Sequence, residues 1–118
     1  MTTKGLRKKA WKLFSKYIRE RDKNVCFTCG AYATHAGHFV HRDSLDFEPL
    51  NIHAQCVRCN LYLSGSLVAY TIKMINTYGQ DVVDDLVARG NKVHHWNVVE
   101  LEELIERYKK GNYSSFIK

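Results

Sequence analysis

The sequence predicts a small α+β domain stapled by a metal ion. Three observations carry that expectation: helical periodicity at both ends of the chain, a middle rich in glycine and histidine with short apolar bursts, and two Cys-x-x-Cys pairs that bracket this middle. The 118 residues suffice for one compact domain and are too few for two ordinary ones, so residues 1–118 are expected to form a single unit. An apolar share of 45% argues against wholesale disorder, yet a core of this size gains from a staple. No stretch of about 18 apolar residues occurs, which predicts no membrane helix. The N-terminus (MTTKGLRKKAWKLF) has charge without a following apolar region and does not read as a secretory signal, so the expected location is the cytoplasm.

Residues 5–21 read as an amphipathic helix, with Leu6, Ala10, Leu13, Phe14, Tyr17 and Ile18 recurring at three- and four-residue steps. Residues 24–55 change character. Their glycines, histidines and apolar bursts (His38-Phe39-Val40 and Leu45-Asp46-Phe47) suit two short strands in a hairpin. Pro49, the sole proline, favours an extended or turning chain just past the second burst. Cys56 to Leu63 is expected to begin a helix carrying the second cysteine pair, bent or broken at Ser64-Gly65-Ser66. Leu67, Val68, Ile72, Ile75 and Tyr78 mark a further helix that Gly79 stops, and Asp81 to Arg89 is a short one closed by Gly90. Asn97 and Glu100 make a capping box for a last helix through Lys110, with Gly111 as its stop. The order is a basic helix (1–23), a metal-stapled core (24–64) and a helical extension (65–118).

The staple is read from Cys26-x-x-Cys29 and Cys56-x-x-Cys59, separated by 26 residues. Each pair presents two thiolates to one ion, the pattern of a tetrahedral four-cysteine structural zinc site. A disulfide pairing or a redox Cys-x-x-Cys is the alternative, disfavoured by the missing signal sequence. Charge adds a partner. Residues 1–23 hold nine Lys/Arg against Glu20 and Asp22, a balance of +7, while the whole chain is +6, so the remainder is close to neutral. A basic element on a near-neutral body suggests a polyanion, with nucleic acid as first candidate and Arg7, Lys8, Lys9, Lys12, Lys16 and Arg19 as its contacts. The plain alternative is a solvated helix face.

Between the two cysteine pairs lie the polar residues that phosphodiester hydrolysis needs: a base to activate water, a metal ligand and a cation for developing charge. His38 is the candidate base, Arg42 the candidate cation, with His41 beside it as a further nucleic-acid contact. Asn51 leads toward the second cysteine pair and Asn60 follows its last member. With the cysteines closed on one zinc, His38 and Asn60 are expected to face each other across a shallow groove. Trp11 and Trp96 read as packing residues, His94-His95 as surface, and the clusters Asp81/Asp84/Asp85 and Glu100/Glu102/Glu103 as solvated helix faces.

The run Ala36-Gly37-His38-Phe39, then Asn51-Ile52-His53, Gln55-Cys56-x-x-Cys59-Asn60, and Leu63-Ser64-Gly65 with Tyr70 resembles the lambdoid-phage NinG (Rap) recombination proteins. The upstream Tyr17-Ile18-Arg19-x-Arg21-Asp22 before Cys26-x-x-Cys29-Gly30 is similar to them too, so the likeness covers residues 11–80 with several short motifs in order. The cysteine pairs with Cys59-Asn60 are also similar to those of the phage T4 junction resolvase endonuclease VII. There, four cysteines bind structural zinc and the asparagine after the last one binds the catalytic metal. The resemblance implies a treble-clef-like ββα-metal (HNH) core and a metal-dependent DNA endonuclease acting on branched recombination intermediates such as Holliday junctions, D-loops and flaps.

Residue by residue, the resemblance implies His38 as general base, Asn60 as ligand of a catalytic Mg2+ or Mn2+, and Asn51 as the middle asparagine that restrains the loop and orients the base. It implies no small-molecule cofactor, the host cytoplasm as location for a phage-encoded chain, and a homodimer as a candidate state, because junction resolvases often work as dimers. One position departs from the pattern. Gly37 stands where many such nucleases carry an aspartate ligand. Asparagine with waters satisfies some relatives; otherwise His35, His53 or Glu48 would have to turn toward the ion. The main rival reading is a non-catalytic zinc-stapled nucleic-acid-binding module, which Gly37 favours. A sequence-specific HNH enzyme and a protein-docking zinc finger rank below it.

Overall fold

Thr3–Arg21 form α1 in a computed structural model that describes residues 2–109. The Thr2 hydroxyl caps it by accepting the Gly5 N–H at 3.0 Å. Its apolar stripe buries Leu6, Ala10, Phe14, Tyr17 and Ile18, as the periodicity predicts, while Leu13 is only partly covered. The chain then reverses through Lys23 and Asn24, both at φ 56°. Arg21 fastens this reversal to a later segment of the chain, donating to the carbonyls of Pro49 and Ile52 at 2.8 Å each. Asp22 Oδ2 accepts the Ala54 N–H at 2.8 Å.

The sheet has two antiparallel strands, β1 (His35–His38) and β2 (Ile52–Gln55). His35 pairs with Gln55, Ala36 with Ala54, Gly37 with His53 and His38 with Ile52. The second strand is not the Leu45-Asp46-Phe47 burst: Asp43–Leu45 is a 3-10 turn and β2 begins after Pro49. That burst is apolar for another reason. Leu45 and Phe47 anchor a connecting loop into two different clusters. Side chains alternate across a strand, so the hairpin has two faces. Ala36 and Ile52 join the apolar cluster of α1 and His38 stacks on Trp11 of that helix. His35, Gly37, His53 and Gln55 turn the other way.

Cys56 does not open an α-helix. Arg58–Tyr62 form a π turn, and the expected break is built from three positive φ values, at Ser64, Gly65 and Ser66. Then come α2 (Leu67–Tyr78), α3 (Gln80–Gly90) and α4 (Val98–Lys109). The capping box forms at α4: the Asn97 N–H donates to Glu100 Oε1 at 3.1 Å and the Glu100 N–H to Asn97 Oδ1 at 2.9 Å. The expected end at Lys110 and stop at Gly111 lie outside the described residues.

The architecture is α+β, with an apolar cluster on each side of the hairpin. On one side α1 meets Leu101, Leu104, Ile105 and Tyr108 of α4 over Ala36, Phe47 and Ile52. On the other, Tyr70 and Met74 of α2 meet Val83 and Leu86 of α3 over Phe39 and Leu45. Among the described residues, no helix is long and apolar enough to cross a membrane.

Candidate active site on the two faces of one hairpin

The four cysteines are free, and their sulfurs lie within 4.8 Å of one another. An isolated bridge between Val25 and Tyr32 and a Gly30 N–H donated to the Cys26 carbonyl close the first cysteine loop. In the second, the Cys59 N–H points at Cys56 Sγ at 3.4 Å and the Asn60 N–H donates to the Cys56 carbonyl at 2.9 Å. Four thiol ligands in this arrangement could hold one tetrahedral zinc ion.

On the face toward α1, His38 Nε2 lies 2.9 Å from Asp46 Oδ1, while Asp46 Oδ2 takes Arg7. Arg7 also reaches Asp43 at 3.4 Å. Burial would raise the Asp46 carboxyl, but hydrogen bonds from His38 and Arg7 outweigh it and hold the group below the usual carboxylate range. The carboxylate accepts the Nε2–H, which leaves Nδ1 as the ring's basic nitrogen. Trp11 stacks on the ring at 5.1 Å and 15°. Lys4, Arg7, Lys8, Trp11, His38 and Asp46 line a groove of about 240 Å3 here.

On the opposite face, Asn60 Nδ2 lies 3.1 Å from His35 Nδ1. A Cβ added at Gly37 would meet Gln55 Oε1 at 1.8 Å and Asn60 Oδ1 at 2.9 Å. The expected groove with His38 opposite Asn60 is therefore revised. Asn60 abuts Gly37, whereas its strand neighbour His38 points to the other face, because consecutive strand residues diverge. His41 connects the two. Its ring lies 5.4 Å from that of His38, and its Nε2 is 3.8 Å from where a Cβ on Gly65 would sit. Burial and the neighbouring His38 lower the His41 pKa.

Asn51 is fully buried and braces the loop after β1: Oδ1 accepts the Val40 N–H at 2.8 Å, and Nδ2 donates to the carbonyls of Val40 at 2.9 Å and Leu45 at 3.3 Å. This hold sits between His38 and Asp46 in the chain. His53 is not available to an ion. Tyr70 gives its hydroxyl hydrogen to the Gly37 carbonyl at 2.8 Å, so it accepts from His53 Nδ1–H at 3.0 Å, and Nε2 then accepts from Tyr78 at 2.7 Å. Burial, with the Arg21 charge nearby, pushes the His53 pKa down to about 3, so the ring stays neutral. Glu48 is also engaged elsewhere, with Arg89 at 2.5 Å and the Leu50 N–H at 3.2 Å.

The basic contacts divide. Lys8, Lys9, Lys12 and Lys16 are exposed along α1, and a groove of about 550 Å3 runs past Lys8, Lys9, Lys12 and Arg19. Arg19 is half-buried, its Nε donating to the Ser15 carbonyl at 3.2 Å. Arg7 is held by Asp46 and Asp43. Exposed Arg42 and His41 line a separate groove with Lys92. Sequence reasoning missed Asp46 as the partner of His38, Gln55 beside Gly37, and the stacking of Trp11 on His38. Asp46 was legible only as part of an apolar burst, and nothing in its spacing points back to His38.

A model of the family described as Bacteriophage Lambda NinG protein matches residues 2–113. "Protein ninG" of Escherichia phage 933W is 36% identical over 110 residues, covering 87% of this chain and 54% of that protein. The proteins of the same name from Escherichia phage lambda and Salmonella phage P22 are each 34% identical over 110 residues, covering 87% of this chain and 53% and 54% of their own lengths. The chain thus spans about half the length of the curated relatives it matches. No solved structure matches it.

Proposed function

Because this chain belongs to the NinG family, we propose that it is a metal-dependent DNA endonuclease of the HNH (ββα-metal) type, cutting phosphodiesters in branched recombination intermediates such as Holliday junctions, D-loops and flaps. The observation that carries this reading is the His38–Asp46 pair in a groove lined by Lys4, Arg7 and Lys8. Asp46 takes the Nε2–H and fixes the ring, so that Nδ1 can draw a proton from water attacking phosphorus. Asn51 holds the loop that runs from His38 to Asp46.

Asn60 is the ligand for Mg2+ or Mn2+ in this reading, and the oxygens of Asn60 and Gln55 beside Gly37 suit such an ion. A divalent ion bound there would neutralise the scissile phosphate and the leaving oxygen. Exposed His41 lies with its ring 5.4 Å from that of His38, and Arg42 beside it is the phosphate contact in this reading. Lys8, Lys9, Lys12 and Lys16 would track the DNA backbone, with strong salt dependence. A homodimer would present two such sites to a junction.

The test is a cleavage assay on labelled junction, flap, duplex and single-stranded DNA in magnesium. His38→Ala is expected to lose about 10²- to 10⁴-fold in cutting while binding persists; full activity in the variant removes His38 as the base. Gly37, with no acid for the ion, favours a second reading, a zinc-stapled binding module. DNA binding that survives EDTA, with no cutting in magnesium or manganese, would establish it instead.

A further inference from the structure

Asn60 alone is a sparse ligand set, and Gly37 offers none. We propose that Gln55 supplies the missing ligand, its Oε1 forming with Asn60 Oδ1 an all-amide cradle for a hard divalent cation. The purpose of such an ion rests on the nuclease reading above; the geometry does not.

Gln55 is fully buried, and its head group can sit only one way round. Nε2 donates to the Gly65 carbonyl at 3.0 Å, an atom that only accepts. Nε2 also reaches the Thr28 hydroxyl at 3.2 Å, which lies 3.3 Å from Cys26 Sγ and so keeps its own hydrogen for the sulfur. The amide is thus clamped between a zinc-site cysteine and the break before α2. Oε1 faces the other way and has no hydrogen-bond partner among the described residues. A buried amide oxygen without a donor is costly, and one this firmly oriented calls for a ligand.

Asn60 is clamped in the same manner, with Nδ2 on His35 Nδ1 and Oδ1 turned toward Gly37. Both oxygens lie within 3 Å of the point where a Cβ at residue 37 would sit. Two amide oxygens brought this near one point are stabilised by a positive charge beside them. Magnesium and manganese take oxygen ligands, so the two amide oxygens begin a shell that waters and a phosphate oxygen would complete from the side of half-buried Asn60. The glycine then has a reason: any side chain at 37 would collide with the Gln55 head group. A strand carboxylate is replaced by a neutral amide from the paired strand, which leaves the ion's charge for the phosphate. His35 is a positioning residue in this arrangement, holding Asn60.

The test uses the zinc-loaded full chain with Mn2+ as probe, read by electron paramagnetic resonance of the free ion and by line broadening of side-chain amides in NMR spectra. Mn2+ is expected to broaden the Gln55 and Asn60 amides ahead of all others. Gln55→Met keeps the length and loses the oxygen, and should weaken Mn2+ binding by about tenfold or more, whereas Gln55→Glu should tighten it. Where Gln55→Met fails to fold, as its melting curve will tell, broadening in the wild type decides alone. Broadening at Asn60 without Gln55, broadening at neither, or unchanged affinity in a folded Gln55→Met chain overturns the role of Gln55. Cleavage by the wild type in any of those cases leaves the nuclease reading standing. Mn2+ seated at both amides without cleavage of any DNA keeps the ion site and removes the nuclease.

Discussion

Gly37 and His38 are adjacent in β1, yet they belong to environments built on opposite principles. The α1 face is organised by charge: the Asp46 carboxylate sits between the Arg7 guanidinium and the His38 ring, under Trp11. The other face holds neutral amides and hydroxyls, with Gln55, Asn60, Thr28, Tyr70 and Tyr78 each oriented by a directed hydrogen bond. The difference teaches what each face needs to stay in place. Ion pairs tolerate a half-open groove, because water screens small errors of position. Neutral ligands have no long-range pull and depend on a rigid, dry frame. That frame is the four-cysteine loop pair on one side and the α2–α3 cluster on the other.

Metal removal should therefore separate the faces most sharply. Structural zinc contributes on the order of 10 kcal/mol to folding in small metal-stapled units. A strong chelator is expected to erase dispersed amide signals from residues 26–33 and 52–62 while methyl signals of Leu101 and Leu104, packed with α1, survive longer. Unchanged melting and spectra after chelation would show that no zinc holds the cysteines.

Asp46→Asn probes the charged face next. The amide keeps the shape and loses the charge that pairs with Arg7 and receives the His38 Nε2–H. Turnover should fall by about 10- to 100-fold, within the range of general-base effects, with DNA affinity unchanged. A loss of affinity with turnover intact would make Asp46 a docking residue and dissolve its link to His38.

His53 tests the neutral face through pH. Its folded pKa of about 3 lies below the ordinary value near 6.5. The unfolded chain thus binds the proton first, so the contribution is complete above about pH 6.5 and is lost as pH falls toward 3. The loss is on the order of 5 kcal/mol at the acid end, measured as denaturation midpoints in zinc-saturated buffer. His53→Gln should flatten this acid limb relative to the wild type; an identical limb in both chains would place the acid sensitivity elsewhere.

How much of this was legible in the sequence depends on the range of the signal. Local signals read well: the stripe Leu6 to Ile18, the stop at Gly79 and the Asn97–Glu100 box each arise from neighbours along the chain, whereas Gly90, read as a stop, is the last residue of α3. The cysteine cluster read well too, because two tight spacings restrict the geometry. The strands did not. Their alternation spans only four residues each, and Leu45-Asp46-Phe47 mimics a strand while anchoring a loop. The contact of His38 with Asp46 is set by the loop after β1, and the approach of Gln55 to Gly37, diagonal to its register partner His35, by the register of β1 on β2. A one-residue slip would exchange the two faces. No periodicity in the chain announces that register.

The smallest effect concerns the basic residues of α1, where the same comparison recurs along one helix. Lys8, Lys9 and Lys12 are exposed beside an open groove, whereas Arg7 is held by Asp46 and Asp43. If the exposed lysines meet phosphates, each lysine-to-alanine change should lower the slope of log affinity against log salt by about one unit, with little change in turnover at low salt. Arg7→Ala should behave in reverse, leaving the slope nearly unchanged and lowering turnover, since it frees Asp46 rather than a phosphate. Equal slope changes for Arg7 and Lys12 would mean that DNA pulls Arg7 off its carboxylates on binding. The charged face would then be a switch worked by the substrate, with Asp46 Oδ2 released from Arg7 while Oδ1 still holds His38.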